Sequence, residues 1–458
     1  MIHTFSRLLL ISLGLLAMPA LAQPEENHNL LDIYTQAVSS DPTLAAARSA
    51  NKATEERLAQ ARALFFPTIS FTMNATHSET DIRYFDNNPF RVGEPQSFET
   101  FGYGVNATQP IFRKQNHDQY DQAKLQVLQS DLQLIQTQQE LMLRVSDTYF
   151  DVLLARDNIE LINAQKAAIS GQLEQANANF EVGTATITDV NEAQARYDLT
   201  VAQEIAAVNQ LETAKRALQA IIGTMPPPLT GVNPGIEITP PSPLNMEEWV
   251  NISRQNNLNI NIQQRAYEIA AEEVELQNAG HYPILDAVGS YNDTRAGGSA
   301  NGFGSDLSNG QIGLQLQIPI YQGGLVSARA REAVALRQQA LDNLEAARRQ
   351  AEFETRSAYL NLTGNVAQVA AFEQALASSR SQLESTQLGY EVGVRTSIDV
   401  LNAQQQLYTA QRDLLQARYN YLLSVLQLKA ATGLINESDL ADVSQRMSNS
   451  PIAAAPQP

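Results

Sequence analysis

The sequence predicts a mostly α-helical chain that also carries transmembrane β-strands, laid out as two internal copies of one plan. Three observations predict it. Short motifs recur at a spacing of 210 residues (180 to 390, 187 to 397). Proline is absent between Pro110 and Pro226 and between Pro319 and Pro451, and the first of these stretches repeats its apolar positions near every 3.5 residues, as long packed helices do. Ahead of both stretches lie segments of about ten residues in which apolar and polar side chains alternate.

Residues 1–22 read as a secretory signal. Arg7 supplies the basic start, 8–16 form a short apolar core, and Ala20-Leu21-Ala22 gives the small-x-small cleavage pattern, so the mature chain is expected to begin at Gln23. No other stretch approaches the ~20 apolar residues a membrane helix needs. Cysteine is absent, which removes disulfides, thiolate metal sites, cysteine nucleophiles and lipidation at the cleavage site. The net charge of −18 argues against nucleic acid as a partner and otherwise describes a solvated surface.

The duplication fixes the domain plan. Phe180-Glu181-Val182-Gly183 recurs as Tyr390-Glu391-Val392-Gly393, and Ile187-Thr188-Asp189-Val190 as Ser397-Ile398-Asp399-Val400. Tyr149 matches Tyr359, Gly223 matches Gly433, and Pro110-Ile111-Phe112 matches Pro319-Ile320-Tyr321. The first repeat divides into N-terminal helices (23–66), two strands with a loop (67–112), and a long and a shorter helix (113–226). A proline-rich strap (227–244) leads to the second repeat: helices (245–282), two strands with a loop (283–321), and a long and a shorter helix (322–434). Residues 435–458 form a C-terminal segment, read as a loosely ordered tail from Asp442 onward.

In the first long helix the apolar stripe runs through Leu128, Leu132, Ile135, Met142, Val145, Tyr149, Val152, Ile159, Ile162, Ile169, Leu173, Ala176 and Phe180. A helix over 113–181 would be ~100 Å long. Gly183 and Gly393 suit the turns that end such helices, and Thr186 or Thr188 can cap the helix that follows, with Asp189 near its positive end. The shorter helices before and after the strands would lie in series beside the long one.

Ile312, Leu314, Leu316, Ile318 and Ile320 alternate with polar or small residues, as do Phe101, Tyr103, Val105 and Ala107, and Ile69, Phe71, Met73 and Ala75. The remaining strand, 283–294, alternates less cleanly because Ile284 and Val288 fall out of phase. A half-exposed sheet of a soluble domain shows the same pattern. The signal peptide and the glycine- and asparagine-rich loops at 81–96 and 296–310 favour a membrane barrel. Backbone groups in lipid must all be paired, so a barrel must close, and four strands cannot close. Several copies must pool their strands. Periodicity does not choose among two, three or four.

Gly323-Gly324 after Pro319-Ile320-Tyr321-Gln322, the run from Gly389 through Val394-Arg395-Thr396 to Leu401, and Ala417-Arg418-Tyr419-Asn420-Tyr421-Leu422 resemble the TolC-type family of outer-membrane channel-tunnels. The resemblance spans nearly all of the mature chain. It implies a homotrimer with a twelve-stranded barrel in outer-membrane lipid and a twelve-helix tunnel in the periplasm. It implies an exit duct for drugs, toxic compounds or polypeptides, working with a periplasmic adaptor and an inner-membrane pump or ABC exporter. It also implies a closed periplasmic end that opens as an iris. Tyr390 and Arg395 resemble residues that tie the second coiled coil to Thr188 and Asp189 of the first, and Asp399 resembles an aspartate ringing the entrance. Where the family has a second aspartate one turn later, this chain has Asn402.

Taken alone, each of these residues has a plainer reading. Asp399 is an ordinary first-turn helix aspartate, Arg395 a solvated turn residue and Tyr390 a core residue like its repeat partner Phe180. His3, His28, His77, His117 and His281 are scattered, and no nucleophile triad or phosphate-binding glycine loop is present, so no metal, cofactor or enzyme activity is expected. An adhesive coiled-coil protein would leave the tip residues without a task. A nutrient porin would not need helices of this length.

Overall fold

The computed structural model describes residues 27–81, 96–233, 235–299 and 303–448. The signal peptide expected at 1–22, most of the 81–96 loop, and the tail beyond Ser448 lie outside the described residues.

Two very long helices organise the chain: α3 (Lys114–Glu181, 68 residues) and α7 (Leu325–Glu391, 67 residues). Each is ~100 Å long at 1.5 Å per residue. Beside α3 lie α2 (Pro42–Ala63) and α4 (Ile187–Ile222) in series, and beside α7 lie α6 (Leu258–Asn278) and α8 (Ser397–Ala431). The short helices α1 (Leu30–Ser40) and α5 (Met246–Asn256) precede α2 and α6. Asp41-Pro42 breaks α1 from α2: Asp41 caps the Leu44 amide at 2.8 Å while Pro42 takes the first helical turn, where no amide donor is needed. Helix α3 also packs against α6 and α8, which joins the two repeats side by side.

Not every residue of the predicted stripe is covered. Met142, Val145, Tyr149, Val152, Ile162, Ile169 and Ala176 are buried, whereas Leu128, Ile135 and Phe180 stay exposed in the single chain. Helix mid-length is where the core thickens. There Leu30, Ile33, Tyr149, Phe150, Leu153, Leu218, Leu422 and Leu426 pack with Leu440 and Val443. The last two belong to α9 (Glu437–Ser448), a helix docked by its buried Leu440, Val443 and Met447. The expectation of a loose tail from Asp442 is thereby corrected as far as Ser448. An i, i+3, i+7 apolar triplet anchors this segment although most of its remaining residues are polar.

The strap is pinned mainly by tyrosine hydroxyls. Tyr149 Oη donates to Thr230 O at 2.9 Å, and Tyr421 Oη donates to Thr239 O while accepting the Thr239 amide at 3.0 Å. Tyr359, the repeat mate of Tyr149, donates to Leu244 O at the strap's far end. Repeated tyrosines thus hold both ends of a segment that is not itself repeated.

The strands β1 (Thr68–Thr80), β2 (Gln96–Phe112), β3 (Ile284–Ala296) and β4 (Ser305–Gln317) form one antiparallel sheet in that order. Helix α4 and the strap therefore separate strands that pair directly, β2 with β3. Register places Phe71 opposite Val105, Val105 opposite Tyr291, Gly289 opposite Ile312 and Ala287 opposite Leu314, so one face is apolar across all four strands. Ile284 and Val288 point to the other, polar face, which explains their lapse of phase. Strand β4 begins at Ser305, earlier than the alternation suggests, and ends at Gln317, so the second loop is shorter than 296–310 and Ile318 and Ile320 lie beyond the sheet. The mostly polar run Ser305 to Asn309 hid the strand's start.

Ile312 is 95% exposed, as befits a side chain facing lipid rather than protein. Tyr103 and Tyr291 stand on the same face towards its outer end, and Arg295 pairs with Asp306 at 2.7 Å where that face stops. At the opposite end, Arg113 at the head of α3 forks onto Asp286 of β3 at 2.9 and 2.7 Å, joining strands to helices. No described helix is long and apolar enough to cross a membrane. Among the described residues, both edge strands, β1 and β4, have one side unpaired within the chain.

Candidate functional site at the hairpin tips

Each long helix and its following partner form a hairpin, and the candidate residues gather at the two hairpin ends. The turns are built alike. Gly183 and Gly393 both take φ of +79°, which glycine adopts without steric penalty. Past each turn a threonine caps the next helix: Thr186 Oγ1 accepts the Asp189 amide and Thr396 Oγ1 accepts the Asp399 amide, both at 3.3 Å. The aspartates answer: Asp189 Oδ2 accepts the Thr186 amide at 2.8 Å and Asp399 Oδ2 accepts the Thr396 amide at 2.9 Å. These are reciprocal capping boxes with aspartate in the third helical position. Of the two threonines open to the role, Thr186 is the cap. Thr188 is exposed in the first turn.

Both carboxyls are held below the ordinary carboxylate range, first by the threonine backbone amide and then by its hydroxyl, with Arg395 adding a smaller effect on Asp399. Charged caps of this kind also suit the positive end of the helix dipole.

Between the hairpins α3 packs against α8, and the side-chain hydrogen bonds near the tips are few. Asn179 Nδ2 on α3 donates to Tyr390 Oη on α7 at 3.3 Å. On the α4 side, Arg196 Nη2 donates to Asn402 Oδ1 of α8 at 2.9 Å. A thin apolar cluster lies alongside, with Leu401 of α8 against Ala176 of α3 and Ala193 of α4. Further up, Tyr408 Oη donates to Ala164 O at 3.2 Å.

The expected tie of Tyr390 and Arg395 to Thr188 and Asp189 is not made inside one chain. Tyr390 takes Asn179 instead, and among the described residues the Arg395 guanidinium makes no hydrogen bond or ion pair within the chain. Its stem folds over Gly389, where a Cβ would meet Arg395 Cγ at 2.7 Å. Gly389 accepts the Val394 and Arg395 amides at 2.9 and 3.0 Å, and its repeat mate Asn179 accepts those of Thr184 and Ala185 at 2.8 and 3.2 Å. Asn402 is exposed at the tip with its amide oxygen taken by Arg196, and Asp399 stands one turn earlier. Sequence reasoning missed Asn179, Arg196 and Leu401. Among the described residues no three histidine, aspartate or glutamate side chains converge in a metal-binding arrangement.

The family model described as "Outer membrane efflux protein" matches residues 33–224 and 249–434, one match per repeat. The outer membrane protein TolC of Vibrio cholerae is 33% identical over 417 residues, covering 91% of this chain and 93% of the relative. The alkaline protease secretion protein AprF of Pseudomonas aeruginosa is 30% identical, covering 90% of this chain and 85% of AprF. The crystal structure of the outer membrane protein VceC from Vibrio cholerae superposes with a TM-score of 0.74 over 88% of this chain and 96% of VceC, at 21% identity, a likeness of fold. With its paired repeats, membrane-facing sheet and long helical hairpins, the chain belongs to the outer membrane efflux protein family and is an outer-membrane channel of the efflux and secretion type.

Proposed function

We propose that three copies of this chain close one barrel of twelve strands and one tunnel of twelve helix positions, forming an exit duct that receives cargo from an inner-membrane pump or ABC exporter through a periplasmic adaptor. The observation that carries it is the sheet with two open edges. β1 and β4 lie at opposite sides of an antiparallel order, so β4 of one copy continues into β1 of the next without breaking the alternation. In lipid those edges must be paired. The family model named for efflux and the relative named for protease secretion support a duct that conducts cargo driven by another protein's energy.

The tip residues supply the gate. The lateral order of helices leaves α7 at one border of the chain and α2 with α4 at the other. The Arg395 guanidinium, with no partner among the described residues of its own chain, therefore faces the start of the neighbouring copy's α4. There the partner subunit's Asp189 offers Oδ1, since its Oδ2 holds the cap. Exposed pairs of this type are worth about 1 kcal/mol or less, which suits a contact that must open. Asp399, repeated around the axis, would gather carboxylates at the entrance.

Two measurements test this together: native mass spectrometry of detergent-extracted protein and single-channel recording in planar bilayers. Trimers that conduct weakly, and more strongly after Arg395→Ala, are expected. Monomers, or freely water-soluble protein without conductance, would overturn the reading.

A further inference from the structure

Arg196 lies within the first three turns of α4, and its guanidinium crosses to the other hairpin. Nη2 donates to Asn402 Oδ1 at 2.9 Å, and Nη1 reaches Gln405 Oε1 at 3.5 Å. Residues 402 and 405 are neighbours on one face of α8, so the planar fork engages two successive side-chain oxygens. The repeat mate of Arg196 is Gln406, so this tie is not a by-product of the duplication. Just beyond it α4 and α8 part around a polar cavity of about 410 Å³ lined by Gln203, Gln210, Gln405 and Arg412. The guanidinium thus stands between that cavity and the tip, where few other side-chain hydrogen bonds join the hairpins.

We propose that Arg196 is a latch of the closed end, and that Asn402 is its acceptor rather than a cation-binding group of the entrance. The proposal rests on the channel reading and adds a residue to its gate. Both acceptors are neutral amides. A guanidinium bound to amides is held less firmly than one paired with a carboxylate, so the hairpins can part when the second moves outward. A carboxylate at 402 would do two things at once. It would tighten the latch, and its charge would be consumed by Arg196 instead of being displayed to cations at the entrance.

The role is one of positioning, and conductance together with cation block reads it. Full-length protein is recorded in planar bilayers with a trivalent cobalt ammine complex added at the tip side. Arg196→Ala should raise open occupancy roughly tenfold, the effect of losing one hydrogen bond to a charged group. Arg196→Lys should recover part of the closed behaviour, since an ammonium reaches one acceptor but not two. Asn402→Asp alone should close the channel further and gain no block. Block should appear only when Asn402→Asp is combined with Arg196→Ala, which frees the new carboxylate. Because the chain has no cysteine, the pair Arg196→Cys and Asn402→Cys gives an independent test with a short reducible bis-thiol cross-linker, since the span of an arginine side chain exceeds the reach of a disulfide: cross-linking should hold the channel shut and a reductant should release it. Parental conductance in Arg196→Ala, or block acquired by Asn402→Asp alone, overturns the latch. An unsubstituted chain that conducts nothing overturns the channel reading, and the latch with it.

Discussion

Asn179 donates its side-chain amide to the hydroxyl of Tyr390 at 3.3 Å, and neither residue has that partner in the other repeat. The position equivalent to Asn179 is Gly389, and the one equivalent to Tyr390 is Phe180. The two hairpins differ at both positions, and the difference supplies one hydrogen bond between them. Tyr390→Phe should therefore raise conductance severalfold, as loss of about 0.5–1.5 kcal/mol implies. Single-channel recordings of Tyr390→Phe, Asn179→Ala and the pair should show that the two changes together do little more than one alone.

The apolar face of the sheet separates lipid from lumen residue by residue. Ile312→Lys should destabilise the assembled barrel by about 2–4 kcal/mol, the cost of a lysine near mid-bilayer. Gln315→Lys, on the opposite face of the same strand, should leave stability within about 0.5 kcal/mol and change ion selectivity instead. Heat-dependent loss of the oligomer on gels, alongside reversal potentials, distinguishes the two. Equal destabilisation would mean the faces are assigned wrongly.

Tyr421 is fully buried, and its hydroxyl both donates to and accepts from the Thr239 backbone. Tyr421→Phe leaves that amide without its partner at a cost of about 1–3 kcal/mol. Denaturant midpoints should fall accordingly, while the conductance of protein that folds should be unaltered. A stability like that of the parent would mean that water replaces the hydroxyl.

The capping aspartates set a pH window. Asp189 and Asp399 have folded pKa values below their ordinary 3.8, so their stabilisation is fully present above that value and is lost as pH falls through the lowered ones. Hydrogen exchange at the first turns of α4 and α8 should be flat from pH 8 to 5, after correction for intrinsic rates, and should accelerate only in strong acid. Fraying that sets in near pH 6 would contradict this assignment.

Glu272 on α6 behaves in the opposite sense. Desolvation, then Asp118 and Asp121 of α3, then Glu275, raise its carboxyl above the ordinary range, and Lys114 offsets only part of this. Its charged form is therefore a burden on the folded state that acid relieves. Asp118 adds to the crowding: it is 2% exposed, and although Lys114 binds its Oδ1, its Oδ2 has no hydrogen-bond partner. Glu272→Gln should raise the thermal midpoint at pH 7, with the gain vanishing below about pH 4.5. A lowered midpoint at pH 7 would show that the carboxylate has a favourable partner.

The long helices were legible because their signals are local and dense: no proline for more than a hundred residues and, in the first, an apolar stripe in steps of three, four or seven. The alternation through Ile312, Leu314 and Leu316 exposed the sheet in the same way. Strand β4's start and helix α9 escaped for a common reason. Ser305 to Asn309 and Asp442 to Ser448 are mostly polar, and their structure comes from pairing with β3 and from three buried side chains, respectively. The tips were half legible. Thr186, Asp189, Thr396 and Asp399 lie within one turn of their partners, and the repeat points to them. Asn179 with Tyr390, and Arg196 with Asn402, are joined across more than two hundred positions by the register between hairpins. No local pattern encodes that register.

Ownership of the wall has a genetic consequence. Since a chain contributes only a quartet of staves and leaves its outermost two waiting, soundness belongs to the assembled ring and not to any member of it. A substitution that spoils β1 or β4 would be felt by every healthy subunit that joins the same ring, so in a cell carrying both forms the share of silenced ducts should exceed the share of damaged chains.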